Sequence, residues 1–129
     1  MFSIKSNSSD RELVFLSRHG DYFTIALRGA DVQATCTVWC YTDAQELANL
    51  FLRLAAYDRP WPGREQWESI EQEFCLSVAC SSLGSVHFSI DLRGNQGGLE
   101  EWRLCANITT ELGQLASIAE KAHVFFHNS

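Results

Sequence analysis

Cysteines and histidines are the residues of this chain that could hold a metal ion or act as nucleophiles, and their spacing supports neither role. Cys36 and Cys40 lie four residues apart in a stretch with strand periodicity. A strand rises about 3.3 Å per residue, so these thiols would lie about 13 Å apart and could not share one ion. His123 and His127 have helical spacing, but solvated histidines near a helix C-terminus are the simpler interpretation, because positive charge is favoured there. We therefore expect no metal and no cofactor.

Motifs of known reaction classes are missing from the sequence. It has neither a Gly-x-Ser-x-Gly elbow nor a phosphate loop of the Walker type. The glycine-rich stretch Arg93 to Gly98 lies between two predicted strands, so it is interpreted as a hairpin loop rather than an anion site. His87 and Asp91 share one strand face, which alone is too weak a signal for an acid–base pair. We expect no catalytic residue, and the sequence favours a protein that is not an enzyme.

Composition and charge narrow the class of protein. A chain of 129 residues with 46% hydrophobic and 20% charged residues suits a single domain, 1–129. The formal net charge of -6 argues against nucleic-acid binding, which needs a basic patch. It is compatible with a basic protein partner, although acidity also serves solubility alone.

Compartment follows from the N-terminus and the cysteines. The first residues lack the charged and apolar regions of a signal peptide, and no apolar stretch reaches the roughly 20 residues of a membrane helix. We therefore expect a cytoplasmic protein without membrane contact. The five cysteines are an odd number within apolar stretches, which predicts small buried hydrophobic residues rather than disulfides.

Alternating apolar residues predict strands, and two amphipathic stretches predict helices. Thr42 is the expected N-cap of the first helix, with Gln45 completing a capping box, and Thr110 is the expected cap of the second. Short turns between strands make neighbours antiparallel. The predicted fold is α+β, an antiparallel sheet of six or seven strands with both helices on one face. Strands are expected at 2–5, 12–17, 23–28, 32–41, 74–80, 86–93 and 102–108.

The two halves show a possible duplication. Ile25 to Gly29 (IALRG) aligns with Ile90 to Gly94 (IDLRG) at an offset of 65, and the helix starts at Thr42 and Thr110 align at 68. The chain would then be two βββα units, 12–57 and 73–127, joined by a linker at 58–72. The alternative is that any two such units match their apolar rows equally well.

The sheet face opposite the helices is the first candidate binding surface. Aromatic residues and arginine are enriched at interfaces, and parity places both types here beside threonines. A plain solvated face explains the same pattern. If the face is functional, it could bind a small ligand or substrate, or pair two copies in a homodimer. The candidate residues are Trp39, Tyr41, His87 and Arg103.

The stretch from Arg59 to Phe74 is the second candidate surface. Its tryptophans can close one end of the core across the crossover between halves, since indole buries a large apolar area. Alternatively they form an exposed pair rimmed by glutamates that binds a basic partner, as an immunity-type protein binds a toxin. The candidate residues here are Trp61, Glu65, Trp67 and Glu68.

The same stretch carries a family resemblance through the spacing Trp61-x-Gly63-x3-Trp67-x-Ser69-Ile70-Glu71. Together with Gly84, Trp102 and Gly113-Gln114-Leu115, it resembles a family of small, uncharacterised bacterial proteins classed as a domain of unknown function. The resemblance implies a single-domain bacterial protein and assigns no catalytic residue. The leading hypothesis is a non-enzymatic, cytosolic protein-binding domain. The alternative is a small-ligand-binding or enzymatic domain that uses the open sheet face.

Overall fold

A computed structural model describes residues 1–41 and 44–127. The first half contains β1 (Phe2–Lys5), β2 (Glu12–His19), β3 (Tyr22–Arg28), β4 (Gln33–Trp39) and helix α1 (Ala44–Ala55). The second half contains β5 (Glu65–Glu68), β6 (Phe74–Cys80), β7 (Ser85–Gly94), β8 (Trp102–Glu111), a 3-10 turn (Leu112–Gln114) and helix α2 (Leu115–His127).

The strands form two antiparallel sheets of four, ordered β1-β2-β3-β4 and β5-β6-β7-β8. The α+β class is therefore confirmed, and the expectation of a single sheet of six or seven strands is wrong. Short turns fix neighbours within each half, but they do not determine whether the two sheets join. The edges of β1 and β8 approach where the Asn7 N–H donates to the Thr109 carbonyl at 2.9 Å, without continuing as a ladder in the described chain.

One strand, β5, lies inside the stretch expected to be a linker. Of its four residues only Trp67 is apolar, so the segment carries too little alternation to be recognised as a strand. Trp67 pairs with Leu76 of β6 and both side chains are buried. Each half is therefore a meander of four strands followed by a helix.

A single apolar core joins the two sheets and both helices. Phe15 of the first sheet stacks on Phe2 with ring centroids 4.4 Å apart and lies 6.2 Å from Phe74 of the second sheet. Its ring also contacts Phe51 of α1 and Phe125 of α2. Burial of each such side chain contributes about 1.5–3 kcal/mol.

The helices begin differently from the prediction. The expected capping residue Thr42 lies outside the described residues. Thr110 is not a helix cap, because it is buried within β8, where it pairs with Val86. The strand period continues to Glu111, so α2 begins only at Leu115. Among the described residues, no helix has the length and apolarity needed to cross a membrane.

Candidate functional site

The outer face of the first sheet ends in a row of ring side chains, here called the aromatic row: His19, Tyr22, Trp39 and Tyr41. The strand register places His19 opposite Tyr22, and Tyr22 opposite Trp39. The adjacent residues Phe23 and Val38 point into the core. Because side chains alternate along a strand, this row faces away from the helices.

The rings of this row lie at the protein surface, where Trp39 is half-buried and the two tyrosines are exposed. Trp39 and Tyr41 stack with centroids 6.0 Å apart and an interplanar angle of 17°. Tyr22 is 51% exposed and Tyr41 is 63% exposed. Neighbouring exposed aromatic side chains are typical of the centres of protein interfaces.

Glu73 connects this row to the second sheet. Its Oε2 accepts a hydrogen bond from the Trp39 N–H at 2.8 Å, and its Oε1 accepts one from the Ser69 hydroxyl at 2.7 Å. Charge-assisted hydrogen bonds of this kind are about twice as strong as neutral ones. The end of β4 is thus fixed beside the loop between β5 and β6.

Two loops of the second sheet meet at this end and carry exposed apolar side chains, here called the loop tips: Ile70 and Leu99. The Gln96 amide donates to the Glu71 carbonyl at 3.0 Å and ties the loops together. Ile70 is half exposed and Leu99 is fully exposed. The two loops that carry Ile70 and Leu99 are therefore joined to each other.

The backbone of both loops is held in unusual conformations. Gln72 has a φ of 61° and Asn95 a φ of 53°, the left-handed region that non-glycine residues rarely adopt. Hydrogen bonds fix each turn, from Gln72 N–H to the Ser69 carbonyl and from Gly98 N–H to the Asn95 carbonyl, both at 2.9 Å. Such conformations persist where the surrounding structure over-determines them and they cluster at functional sites.

The tryptophan stretch is a core element. Trp61 and Trp67 are 5% and 8% exposed, so they close the core and do not form an exposed aromatic pair. Trp61 stacks on Tyr57 with centroids 4.4 Å apart. Glu65 forms an ion pair with Arg53 at 3.0 Å. Of the four candidate residues in this stretch, Glu68 alone is an exposed side chain, and it lies on the outer face of the second sheet.

The four open-face candidates do not form one site. Trp39 ends β4 of the first sheet and Tyr41 lies in the turn that follows it, whereas His87 and Arg103 lie on the outer face of the second sheet. His87 pairs with Thr109, six residues from Arg103 along β8, a separation of about 20 Å. This division follows from the two-sheet architecture, which the sequence did not indicate.

Arg103 belongs to an ion-pair cluster. Its guanidinium donates to both carboxylate oxygens of Asp91, at 3.1 and 2.7 Å. These hydrogen bonds hold the pKa of Asp91 below its usual range. Arg93 adds a second contact to Asp91 at 3.6 Å. Because Asp91 is committed to two arginines, it does not form an acid–base pair with His87.

A shallow polar groove of about 680 Å³ lies across the same face. Its side-chain rows follow the strand register: Glu68, Cys75, Asp91 and Cys105 in one row, and Gln66, Ser77, Ser89 and Asn107 in the next. Sequence reasoning placed some of these residues on the open face but did not find the groove. The groove forms only because β5 adds a fourth strand and because the register of β5 to β8 aligns these side chains in rows.

The cysteines are only partly the buried residues expected. Cys36 and Cys40 are buried, Cys75 and Cys80 are half-buried, and Cys105 is exposed because it lies on the outer face of edge strand β8. Burial raises the pKa of the Cys36 thiol to about 11, which disfavours a nucleophilic role.

Histidines, cysteines and carboxylates are the side chains of this chain that could ligate a metal ion. Within residues 1–41 and 44–127, histidine, cysteine and carboxylate side chains form no group of three that could hold a metal ion. His123 and His127 stack with centroids 4.1 Å apart, and the His127 Nε2 lies 2.8 Å from the Gln45 Oε1. The contact between His127 and Gln45 therefore joins α2 to α1.

Comparison with known proteins identifies a family but no activity. No curated protein matches the chain. A family model of unknown function, DUF6228, matches residues 5–129. Since the match covers nearly the whole sequence, the chain belongs to this family of unknown function, DUF6228.

Proposed function

We propose that this chain is a non-enzymatic, cytoplasmic protein-binding domain and that the aromatic row contacts its partner. The observation that carries the proposal is the stack of the half-buried Trp39 on the exposed Tyr41, with Tyr22 opposite Trp39 in the strand register. Aromatic side chains supply much contact area at a low cost in conformational entropy. Glu73 fixes the backbone of Trp39 through its N–H, which reduces the ordering needed at this strand end on binding.

Position-specific photo-crosslinking in a lysate of the source cells tests this proposal. Benzoylphenylalanine at position 41 should give a discrete adduct with one protein. The same group at position 83 is the control, since Leu83 is also exposed but lies in the turn between β6 and β7. Trp39→Ala should abolish the adduct from position 41. Equal adducts from both positions, or none from position 41, would reject the proposal.

Acidity favours one form of this function, an immunity-like protein that neutralises a basic toxin. The net charge of -6 would speed association with such a partner. A basic toxin encoded beside this gene should bind the chain, and Tyr41→Ala should weaken that binding. A neighbouring toxin that the purified chain neither binds nor inhibits would reject this form.

The polar groove supports a second candidate function, binding of a small polar ligand. Its volume of about 680 Å³ falls within the usual range for ligand sites, although it is shallow. A fragment screen monitored by amide chemical shifts should then perturb Ser89 and Asn107. Screening hits that perturb neither residue would reject the groove as a ligand site.

A further inference from the structure

We propose that the bound segment of the partner is cationic and apolar and crosses from the aromatic row to the loop tips, contacting both sheets. This inference rests on the proposed function, because it names the chemistry of the protein that the aromatic row binds. The aromatic row supplies the first half of the surface, and Ile70 and Leu99 supply the second.

A chain of contacts makes the two halves of this surface continuous. The Trp39 N–H donates to Glu73 at 2.8 Å, and Glu73 lies three residues after Ile70 in the same loop. The Gln96 amide then joins that loop to the one carrying Leu99 through a 3.0 Å hydrogen bond. The loops that carry Ile70 and Leu99 are thus attached, through Glu73 and Gln96, to the strand end that carries Trp39.

The apolar part of the partner is argued from the loop tips. Leu99 is fully exposed on a loop whose conformation is fixed by the hydrogen bond from Gly98 to Asn95 and by the Asn95 amide donating to the Glu100 carbonyl at 3.4 Å. A preorganised loop that holds leucine in water loses little entropy on binding. Burial of that side chain by a partner would contribute favourably through the apolar area removed from water.

The cationic part is argued from charge complementarity. Glu71 and Glu100 are exposed carboxylates on the two loops. Glu73 is already hydrogen-bonded to Trp39 and Ser69, and Glu101 lies beside Arg93 and Arg103, so Glu71 and Glu100 supply the charge that a partner would meet. The faces of Trp39 and Tyr41 also attract cations through the ring quadrupole. Carboxylates and aromatic faces together favour arginine or lysine in the partner and disfavour an anionic segment.

The same charges disfavour a second copy of this chain as the occupant. A symmetric dimer through this surface would bring the carboxylates of both copies together. Each copy also carries a net charge of -6. A homodimer is therefore an outcome that the experiment must distinguish from binding of a basic partner.

The experiment titrates the full chain with two synthetic peptides and follows its amide chemical shifts. One peptide alternates leucine with arginine and the other alternates leucine with glutamate. The arginine peptide should perturb Tyr41, Ile70 and Leu99 together, and the glutamate peptide should perturb none of them. Raising the salt concentration should weaken binding of the arginine peptide, since screening reduces the attraction between its charges and the carboxylates.

Paired variants distinguish a defined surface from overall charge. The double variant Glu71→Gln, Glu100→Gln should weaken arginine-peptide binding about tenfold, equivalent to about 1.4 kcal/mol. The control is Glu46→Gln, Glu120→Gln, which removes the same charge from exposed positions on the two helices. The control variant should bind like the parent chain.

Each other outcome overturns the inference in a recognisable way. Equal weakening by both double variants would show that overall charge alone attracts the peptide. Shifts at Tyr41 without shifts at Ile70 and Leu99 would show that the loop tips are not part of the binding surface. The proposed function, which rests on the aromatic row, would not be contradicted. Concentration-dependent shifts of these residues without any peptide would identify a second copy as the occupant. If the arginine peptide does not bind and position 41 gives no crosslinked adduct, the proposed function is rejected together with this inference.

Discussion

The third strands of the two sheets match on their inner side and differ on their outer side. Ile25 and Leu27 of β3 are buried, and so are Ile90 and Leu92 at the corresponding positions of β7. Between them, β3 carries the buried Ala26, whereas β7 carries Asp91, which binds two arginines. The shared core gives the inner positions the same apolar character, while the outer positions differ in burial and in charge.

The comparison extends to the whole of each outer face. The first sheet ends in exposed rings that suit protein contact, and the second carries hydroxyl, amide and charged side chains around a groove. The two halves therefore have the same element order and different surfaces. Four predictions test how far this likeness and this difference go.

The largest effect is expected from Phe15→Ala, which tests whether the halves share one core. Phe15 is fully buried and contacts rings from both sheets and both helices. Truncation should lower the free energy of unfolding by about 3–5 kcal/mol. Circular dichroism and tryptophan fluorescence should then report one common midpoint in denaturant. Separate midpoints would mean that the halves unfold independently.

The second-largest effect on stability is expected at the glycines that end the matching sequences IALRG and IDLRG, Gly29 and Gly94. An added Cβ on Gly94 would lie 2.2 Å from the Trp102 ring, whereas one on Gly29 would lie 3.0 Å from the Arg11 Cγ. Gly94→Ala should cost about 1–3 kcal/mol of stability because the indole must move. Gly29→Ala should cost less. Equal costs in urea unfolding would contradict this difference between the halves.

A pH effect is expected from the ion pairs on each half. The pKa of Asp91 is lowered by hydrogen bonds from Arg103, and that of Asp31 by a hydrogen bond from Arg11. A carboxyl group with a lowered folded-state pKa adds stability above its unfolded pKa of about 3.9, and that stability is lost as pH falls through the folded value.

Asp91→Asn should therefore cost at most about 1 kcal/mol at neutral pH and nothing at strongly acidic pH. Asp31→Asn should show a smaller difference, since Asp31 is 63% exposed and its pair is more screened. Unfolding curves of both variants from pH 2 to 7 check this. A cost of Asp91→Asn that does not change with pH would exclude the ion pair as its cause.

The smallest effect on stability is expected from Tyr41→Ala on the first outer face. Tyr41 is 63% exposed, so its removal should change the free energy of unfolding by less than about 0.5 kcal/mol. Binding of the arginine peptide should nevertheless weaken, because Tyr41 is part of the proposed contact surface. A large loss of stability would mean that Tyr41 serves the fold rather than a surface contact.

Local periodicity was sufficient to predict most elements of the fold. Strand β3 has the predicted alternation, with Phe23, Ile25 and Leu27 buried. Helix α1 has the predicted apolar stripe, with Leu47, Phe51 and Leu54 buried. Buried positions of the two helices match at the expected offset of 68, as Leu47 with Leu115 and Leu54 with Ala122, and also at 71, as Ala44 with Leu115. Both shifts keep the helical period, so burial does not choose between the two alignments.

The candidate surface could be predicted only in part. Trp39 and Tyr41 were found because aromatic residues on an outward row are an interface signal. His19 and Tyr22 join them through hairpin register, and Leu99 joins Ile70 through contacts between distant loops, which periodicity does not encode. The division of the sheet into two likewise depends on long-range packing.

The carboxylate of Glu73 has a consequence for how the molecule opens. Hydrogen exchange at the Trp39 amide requires that the N–H first leave Glu73, so its rate measures how often the end of β4 separates from the second sheet. A partner lying over Trp39 and Ile70 would close this seam and slow exchange at that one amide. The hydrogen-exchange rate of the Trp39 amide should therefore show whether a partner is bound at the junction of the two sheets.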